Sequence, residues 1–252
     1  MKAVILSAGQ GKRLLPLTET TPKCALEVAG RPIVQWQVDT LLEAGIKDVM
    51  VVVGHGAEKV EALMKPYGAR VRCLYNPFHA VSDNLASCWV ARNEMDGDFI
   101  LLNGDTLFEV SVVRRLLEAE RAINVTIDRK PIYDADDMKV HVQGDRLMNI
   151  GKTLSPEKSD AEAIGMILFR RPGALAFREA LDRAMRRPDG LKHWYLKVVD
   201  AMAAADDVVG VCSIEGMRWA EVDTRDDLAN ASVAVVQPQA KSTTMSDAEH
   251  LA

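Results

Sequence analysis

The first residues able to do chemistry lie close to the start of the chain. Leu6-Ser7-Ala8-Gly9-Gln10-Gly11-Lys12-Arg13 leaves an apolar run and puts two glycines and two cations within five residues. Glycines let backbone N–H groups approach an anion closely, while a lysine and an arginine add charge and a bidentate donor fork. That is phosphate-binding chemistry. The segment is not a Walker A loop, because G-x-x-x-x-G-K-[ST] is not satisfied, and it lacks the third glycine of a dinucleotide fingerprint. Read alone, such a Gly-x-Gly is equally a strand-to-helix turn with solvated charges. His55, His79, His141 and His193 have no metal-ligand spacing, and Cys24, Cys73, Cys88 and Cys212 form no C-x-x-C pair.

The chain that must position these residues has 252 of them, 48% hydrophobic and 27% charged, which is enough to bury a full globular core. Its net charge of −5 leaves no basic field to hold nucleic acid through counterion release. No stretch approaches the roughly 18 apolar residues of a membrane helix, so neither nucleic acid nor membrane is an expected partner. The run Ala3-Val4-Ile5-Leu6 after Lys2 is too short for a signal-peptide core and reads as a buried first strand. Unpaired thiols and the missing export signal together predict a cytoplasmic location.

Near-continuous Val/Ile-rich runs at Lys2–Leu6, Asp48–Val53, Arg70–Tyr75, Phe99–Leu102 and Asn124–Ile127 read as parallel strands covered on both faces. Apolar residues at helical spacing lie between them, as in Val34, Val38, Leu41 and then Val60, Leu63, Met64. The first half is therefore a βαβαβ unit. Lys139–Val142 and Arg146–Ile150, joined by Gln143-Gly144-Asp145, predict a hairpin. Helices are expected over Pro172–Arg186, Leu191–Ala204 and from Thr224, with a strand at Val208–Cys212. Residues 237–252 read as a polar, disordered tail.

The string MKAVILSAGQGKRLLPLTETTPKCALEVAGRPIVQW resembles the opening of the sugar-phosphate nucleotidyltransferases, whose signature is a G-x-G-x-R loop followed by T-P-K and G-x-P. The resemblance continues through Asn103-Gly104-Asp105 and Glu221-Val222-Asp223-Thr224 and reaches about Ala234. It implies a nucleotide-diphospho-sugar-transferase (Rossmann-like) α/β fold, a mixed sheet flanked by helices. A single domain over residues 1–235 is expected, with 1–128 as the nucleotide-binding half and 129–235 as the acceptor-binding half. The implied reaction joins a nucleoside triphosphate to a phosphorylated alcohol and releases pyrophosphate, with no covalent enzyme intermediate. Asp105 and Asp223 would hold Mg²⁺. Arg13, Lys23 and Lys152 would be the catalytic cations, and Leu6, Ala8, Gly9, Gly11, Lys12, Arg13 and Asp105 would surround the nucleotide. Asp105 alone reads as a turn residue after a strand, and Asp223 as a helix N-cap or its neighbour.

The nucleotide and acceptor follow from the same resemblance. Hexose-phosphate thymidylyl and uridylyl enzymes carry a Gln-Pro-x-Gly-Leu type of sequence where this chain has Asn76-Pro77-Phe78-His79-Ala80-Val81-Ser82-Asp83-Asn84. Asn76, Ser82 and Asn84 instead resemble the phosphocholine and inositol-phosphate cytidylyltransferase branch, which favours CTP; Asn84 alone reads as a helix N-cap. Lys152 would bind the acceptor phosphate, assisted by Lys139. Trp194, Tyr195, Trp219 and Glu221 would flank the acceptor, although Trp194 and Trp219 read equally as packing residues. The alternatives are a uridylyl-, thymidylyl- or guanylyltransferase acting on a sugar 1-phosphate, and a non-catalytic nucleotide-binding domain. No acyltransferase extension is expected after Ala234, and a homodimer is the expected assembly.

Overall fold

The computed structural model describes residues 1–236, so the expected tail at 237–252 lies outside the described residues. In chain order the elements are β1 (Lys2–Ser7), β2 (Glu27–Val28), β3 (Arg31–Pro32), α1 (Ile33–Glu43), β4 (Asp48–Val53), α2 (Ala57–Met64), β5 (Val71–Tyr75) and α3 (Asn84–Val90). They continue as β6 (Phe99–Asn103), β7 (Thr106–Phe108), α4 (Val110–Leu117), β8 (Ile123–Asp128), β9 (Lys139–Gln143), β10 (Arg146–Ile150) and β11 (Ala161–Phe169). The last are α5 (Arg171–Met185), α6 (Tyr195–Ala205), β12 (Val209–Ser213), β13 (Trp219–Glu221) and α7 (Arg225–Val236).

Nine strands form one sheet in the order β5-β4-β1-β6-β11-β8-β12-β10-β9. The four strands from β5 to β6 are parallel, as their continuous apolar runs predict. Strand β11 then enters antiparallel between β6 and β8. The sequence reading contains no strand at β11 and groups 124–127 with the parallel set; in the fold, β8 meets an antiparallel neighbour on one side and parallel β12 on the other. The expected 139–150 hairpin forms as β9–β10. The helix expected from Leu191 begins only at Tyr195, because the carbonyls of Leu191 and His193 accept the backbone N–H groups of Asp83 and Leu85 instead of continuing a helical turn.

Alternate residues of each central strand face opposite cores, which is why the runs are apolar throughout. Val4 and Leu6 of β1, with Phe99 and Leu101 of β6, pack beneath α3, α5 and α6; Ala3, Ile5, Ile100 and Leu102 pack beneath α1, α2 and α4. The first core contains an aromatic stack in which the Phe169 ring lies 4.7 Å from Phe99 and 4.5 Å from Phe177, all three fully buried. Truncation of the middle ring removes contacts to both neighbours. Phe169→Ala is expected to cost about 3–5 kcal/mol, measured as a lower urea midpoint at unchanged slope.

Candidate active site

The site lies at the carboxyl ends of β1 and β6, where open α/β sheets place their ligands. Beyond Ser7 the chain enters the glycine loop, whose shape is fixed at Gly11. This residue has φ +73°, in the left-handed region, and its carbonyl accepts a 2.8 Å hydrogen bond from Thr18 Oγ1. A Cβ at Gly11 would stand 2.9 Å from Lys23 Cβ, so only glycine lets the stem of Lys23 lie against the loop and its ammonium enter the cleft.

Asp105 occupies the turn between β6 and β7. Gly104 N donates to Leu6 O at 3.0 Å, and a Cβ at Gly104 would meet Ser7 Oγ at 2.3 Å, so the turn sits directly on the end of β1. From beneath, the buried Gln37 of α1 donates its amide to Asn103 O at 2.7 Å and Thr106 O at 2.8 Å. Strand β13 pairs with β7, and Val222 N donates to Asp105 O at 3.0 Å, which brings Glu221 and Asp223 alongside. Asp223 is the neighbour of a cap. Thr224 Oγ1 accepts from Asp227 N, and Asp227 Oδ2 accepts from the N–H groups of Asp223 and Thr224, a reciprocal capping arrangement at the start of α7. The Asp223 carboxylate is thereby left free to face the cleft.

Asp105, Glu221 and Asp223 each offer an oxygen within 4.8 Å of the others. Two cations answer this crowding. Lys23 Nζ donates to Asp105 Oδ2 at 2.7 Å and also to Asp223 Oδ1; Arg13 donates to Asp223 Oδ2 at 2.6 Å and to Asp136 Oδ2 at 3.3 Å. Burial opposes the charge on Lys23, but the Asp105 and Asp223 carboxylates outweigh it and raise its pKa. Glu221 is exposed as a residue, yet the protein around its carboxyl, followed by the charges of Asp105 and Asp223, pushes it up to about 8 against the pull of Lys23 and Lys152. The donor set fits a small hard cation: every ligand is a carboxylate oxygen, and Asp105 Oδ1 is buried with no hydrogen-bond partner.

Around these charges opens a cleft of about 630 Å³, lined by Gly9 to Arg13, Lys23, Asp223 and the 79–83 and 191–192 segments. A smaller recess of about 200 Å³ shares Gly9, His79, Ser82 and Asp83 with it and adds Leu6, Ala8, Asn76, Asn84 and Trp194. Sequence reasoning gave no role to Gln37 or His79; as a buried amide and an ordinary loop residue, they carried no local signal. The three polar residues expected at the base are drawn into building the recess. Asn76 donates to Ser87 Oγ and accepts from Phe78 N, Ser82 Oγ donates to Phe78 O, and Asn84 Oδ1 accepts from Tyr195 N. The N-cap of α3 is Asp83, so the cap expected of Asn84 serves the start of α6 instead.

On the acceptor side, Lys152 Nζ lies 5.6 Å from the centre of the Trp194 ring and 3.4 Å from Asp136 Oδ1, and Trp194 is 45% exposed. Three expectations are corrected. Lys139 is 1% exposed and donates to the carbonyls of Asp134 and Asp137, so it braces that loop and reaches no acceptor. Tyr195 is fully buried with its hydroxyl on Asn103 Oδ1, and Trp219 packs against the second core while donating to Asp128.

Residues 3–134 match the family model of the MobA-like NTP transferase domain. The CMP-5'-(3-aminopropyl)phosphonate synthase of Streptomyces rubellomurinus is 31% identical over 95% of this chain and 39% of its own length. A bifunctional IPC transferase and DIPP synthase of Aquifex aeolicus is 28% identical over 95% of this chain and 53% of its own. The chain thus spans about half the length of these curated relatives or less. The CTP:phosphocholine cytidylyltransferase from Streptococcus pneumoniae superposes with a TM-score of 0.76 at 24% identity, covering 92% of this chain and 97% of that one, and shares the fold. No helix among the described residues is long and apolar enough to cross a membrane.

Because Gln37 supplies both donors beneath the Asp105 turn, Gln37→Glu sets a buried carboxylate against two carbonyl oxygens. It is expected to cost about 3–5 kcal/mol, read by urea denaturation.

Proposed function

The chain belongs to the MobA-like NTP transferase domain family, and on that premise we propose that it transfers a cytidylyl group from CTP to a small phosphorylated alcohol. The observation that carries this reading is the convergence of the glycine loop, Arg13 and Lys23 on Asp223 in one cleft, with Lys23 also donating to Asp105. A pure nucleotide binder has little use for such a carboxylate cluster. The choice of CTP and of a phosphorylated alcohol is supported by the relatives: a CMP-phosphonate synthase among the curated proteins and a phosphocholine cytidylyltransferase among the folds.

In the reaction an oxygen of the acceptor phosphate attacks the α-phosphorus of CTP, the bond to the β-phosphate oxygen breaks, and pyrophosphate leaves. Two anions must be brought together, so catalysis is positioning and charge neutralisation, with no side-chain nucleophile. Gly9 and Gly11 give the loop backbone its close approach to the triphosphate. Arg13 steadies the β- and γ-phosphates, Lys12 adds charge at the rim, and Lys23 reaches the phosphates from the floor. The recess formed by Leu6, Ala8, Asn76, Ser82 and Asn84 receives the base, with the turn residues shaping its walls. Lys152 takes the acceptor phosphate beside the Trp194 face, in the half formed by residues 129–235. Asp105 and Asp223 would hold Mg²⁺, with Glu221 as the adjoining carboxylate, and the ion supplies charge neutralisation for the phosphates when bound.

The test is pyrophosphate release with Mg²⁺ across CTP, UTP, dTTP, GTP and ATP, each offered phosphocholine, an inositol phosphate, a phosphorylated amino acid amide, an aminoalkylphosphonate or a hexose 1-phosphate. Release with CTP and one phosphorylated alcohol is expected; release only with UTP or dTTP and a hexose 1-phosphate overturns the base assignment. Asp105→Asn and Asp223→Asn should each lower turnover by about 100-fold or more at unchanged thermal unfolding. Lys152→Ala is expected to raise the KM for the acceptor by about 10- to 100-fold and leave the KM for CTP as it was.

A further inference from the structure

Lys23 stands where a site built only to bind phosphate would not need it. Its ammonium lies between Asp105 and Asp223, donating to both, and its side chain is 13% exposed. The third carboxylate, Glu221, has an oxygen within 4.8 Å of those of the two aspartates, and Arg13 closes the far side of Asp223. Without a cation at their centre these carboxylates would repel one another across a few ångströms. With one they are held in the arrangement that a metal ion would take up.

We propose that Lys23 is a placeholder cation: it holds Asp105 and Asp223 in ligand geometry before metal arrives and is displaced by the metal toward the triphosphate. The proposal rests on the nucleotidyltransferase reading and goes beyond it, because it makes metal and nucleotide binding interdependent. Metal alone must evict an ammonium that then has no anion to receive it. Metal arriving with the triphosphate gives that ammonium a new partner. Lys23 therefore acts as a positioning residue on the empty site and as a phosphate ligand on the filled one. The lysine stem lies against Gly11, where any side chain would crowd it.

Direct metal binding by the full chain tests this, with Mn²⁺ as the probe, no nucleotide present, and free Mn²⁺ read by electron paramagnetic resonance at pH 7.5. Lys23→Met is expected to bind Mn²⁺ on the order of tenfold more tightly than the unaltered protein, and Lys23→Arg, which keeps the charge, to bind it as weakly as the unaltered protein. A merely structural lysine gives the opposite sign. Unchanged or weaker Mn²⁺ binding by a folded Lys23→Met overturns the proposal. The unaltered protein supplies a second readout: reductive methylation of Lys23, followed by mass spectrometry, should accelerate several-fold when Mn²⁺ is added without nucleotide, and an unchanged rate overturns the proposal. Neither measurement needs turnover. A protein that makes a CDP-linked product but shows no change at Lys23 keeps the proposed function and loses this inference. One that is silent across the substrate grid but releases Lys23 to metal loses the function and keeps the inference.

Discussion

Three carboxylates within a few ångströms of one another are the constraint on which this structure turns. Asp105 lies more than a hundred positions from Glu221 and Asp223, which come from one short segment, and charges so close are tolerated only if cations are built in beside them. Lys23 and Arg13 are those cations, and the backbone around them sets where charges meet. The left-handed glycine at position 11 clears the way for Lys23, the Gly104 turn rests on the end of β1, and the short β7–β13 ladder lays Glu221 beside Thr106.

The wall opposite is joined to the acceptor side by backbone. Asp83 N and Leu85 N donate to the carbonyls of Leu191 and His193, and Asn84 Oδ1 accepts from Tyr195 N. The start of α3, which borders the recess, and Trp194, which borders Lys152, are thus one hydrogen-bonded unit. The interruption of the helix expected from Leu191 is the structural cost of this joint. Asp136 adds a second tie, standing between Arg13 and Lys152 on the open face.

Much of the frame was legible because burial on both faces writes itself as uninterrupted Val and Ile runs, as in β1 and β4. The same rule should have exposed β11, whose nine residues are all buried, but its Ala, Glu and Gly residues weaken the signal. Among candidate site residues, Arg13, Lys23, Asp105 and Asp223 stood out by their motifs, and ion pairs link the four in the structure. Lys139 was misread because residue type announces charge while position decides its use. At the start of β9 its ammonium finds two loop carbonyls before it finds solvent. Gln37 was unreadable for the complementary reason: a buried amide in an apolar helix face carries no pattern, and its task exists only once the β6–β7 turn is folded above it.

The contact between Lys23 and Asp223 spans 200 positions of sequence. At about 5–20 residues per second, a ribosome adds Asp223 roughly 10–40 seconds after Lys23. During that interval the nascent chain can form β1, the glycine loop and the Lys23–Asp105 pair, a neutral couple with little appetite for divalent ions. The second aspartate arrives in the turn between β13 and α7, among the last described elements to be made. Assembly of the carboxylate cluster is in this sense dated: a chain arrested before position 223 carries the glycine loop, Lys23 and Asp105 without the second aspartate.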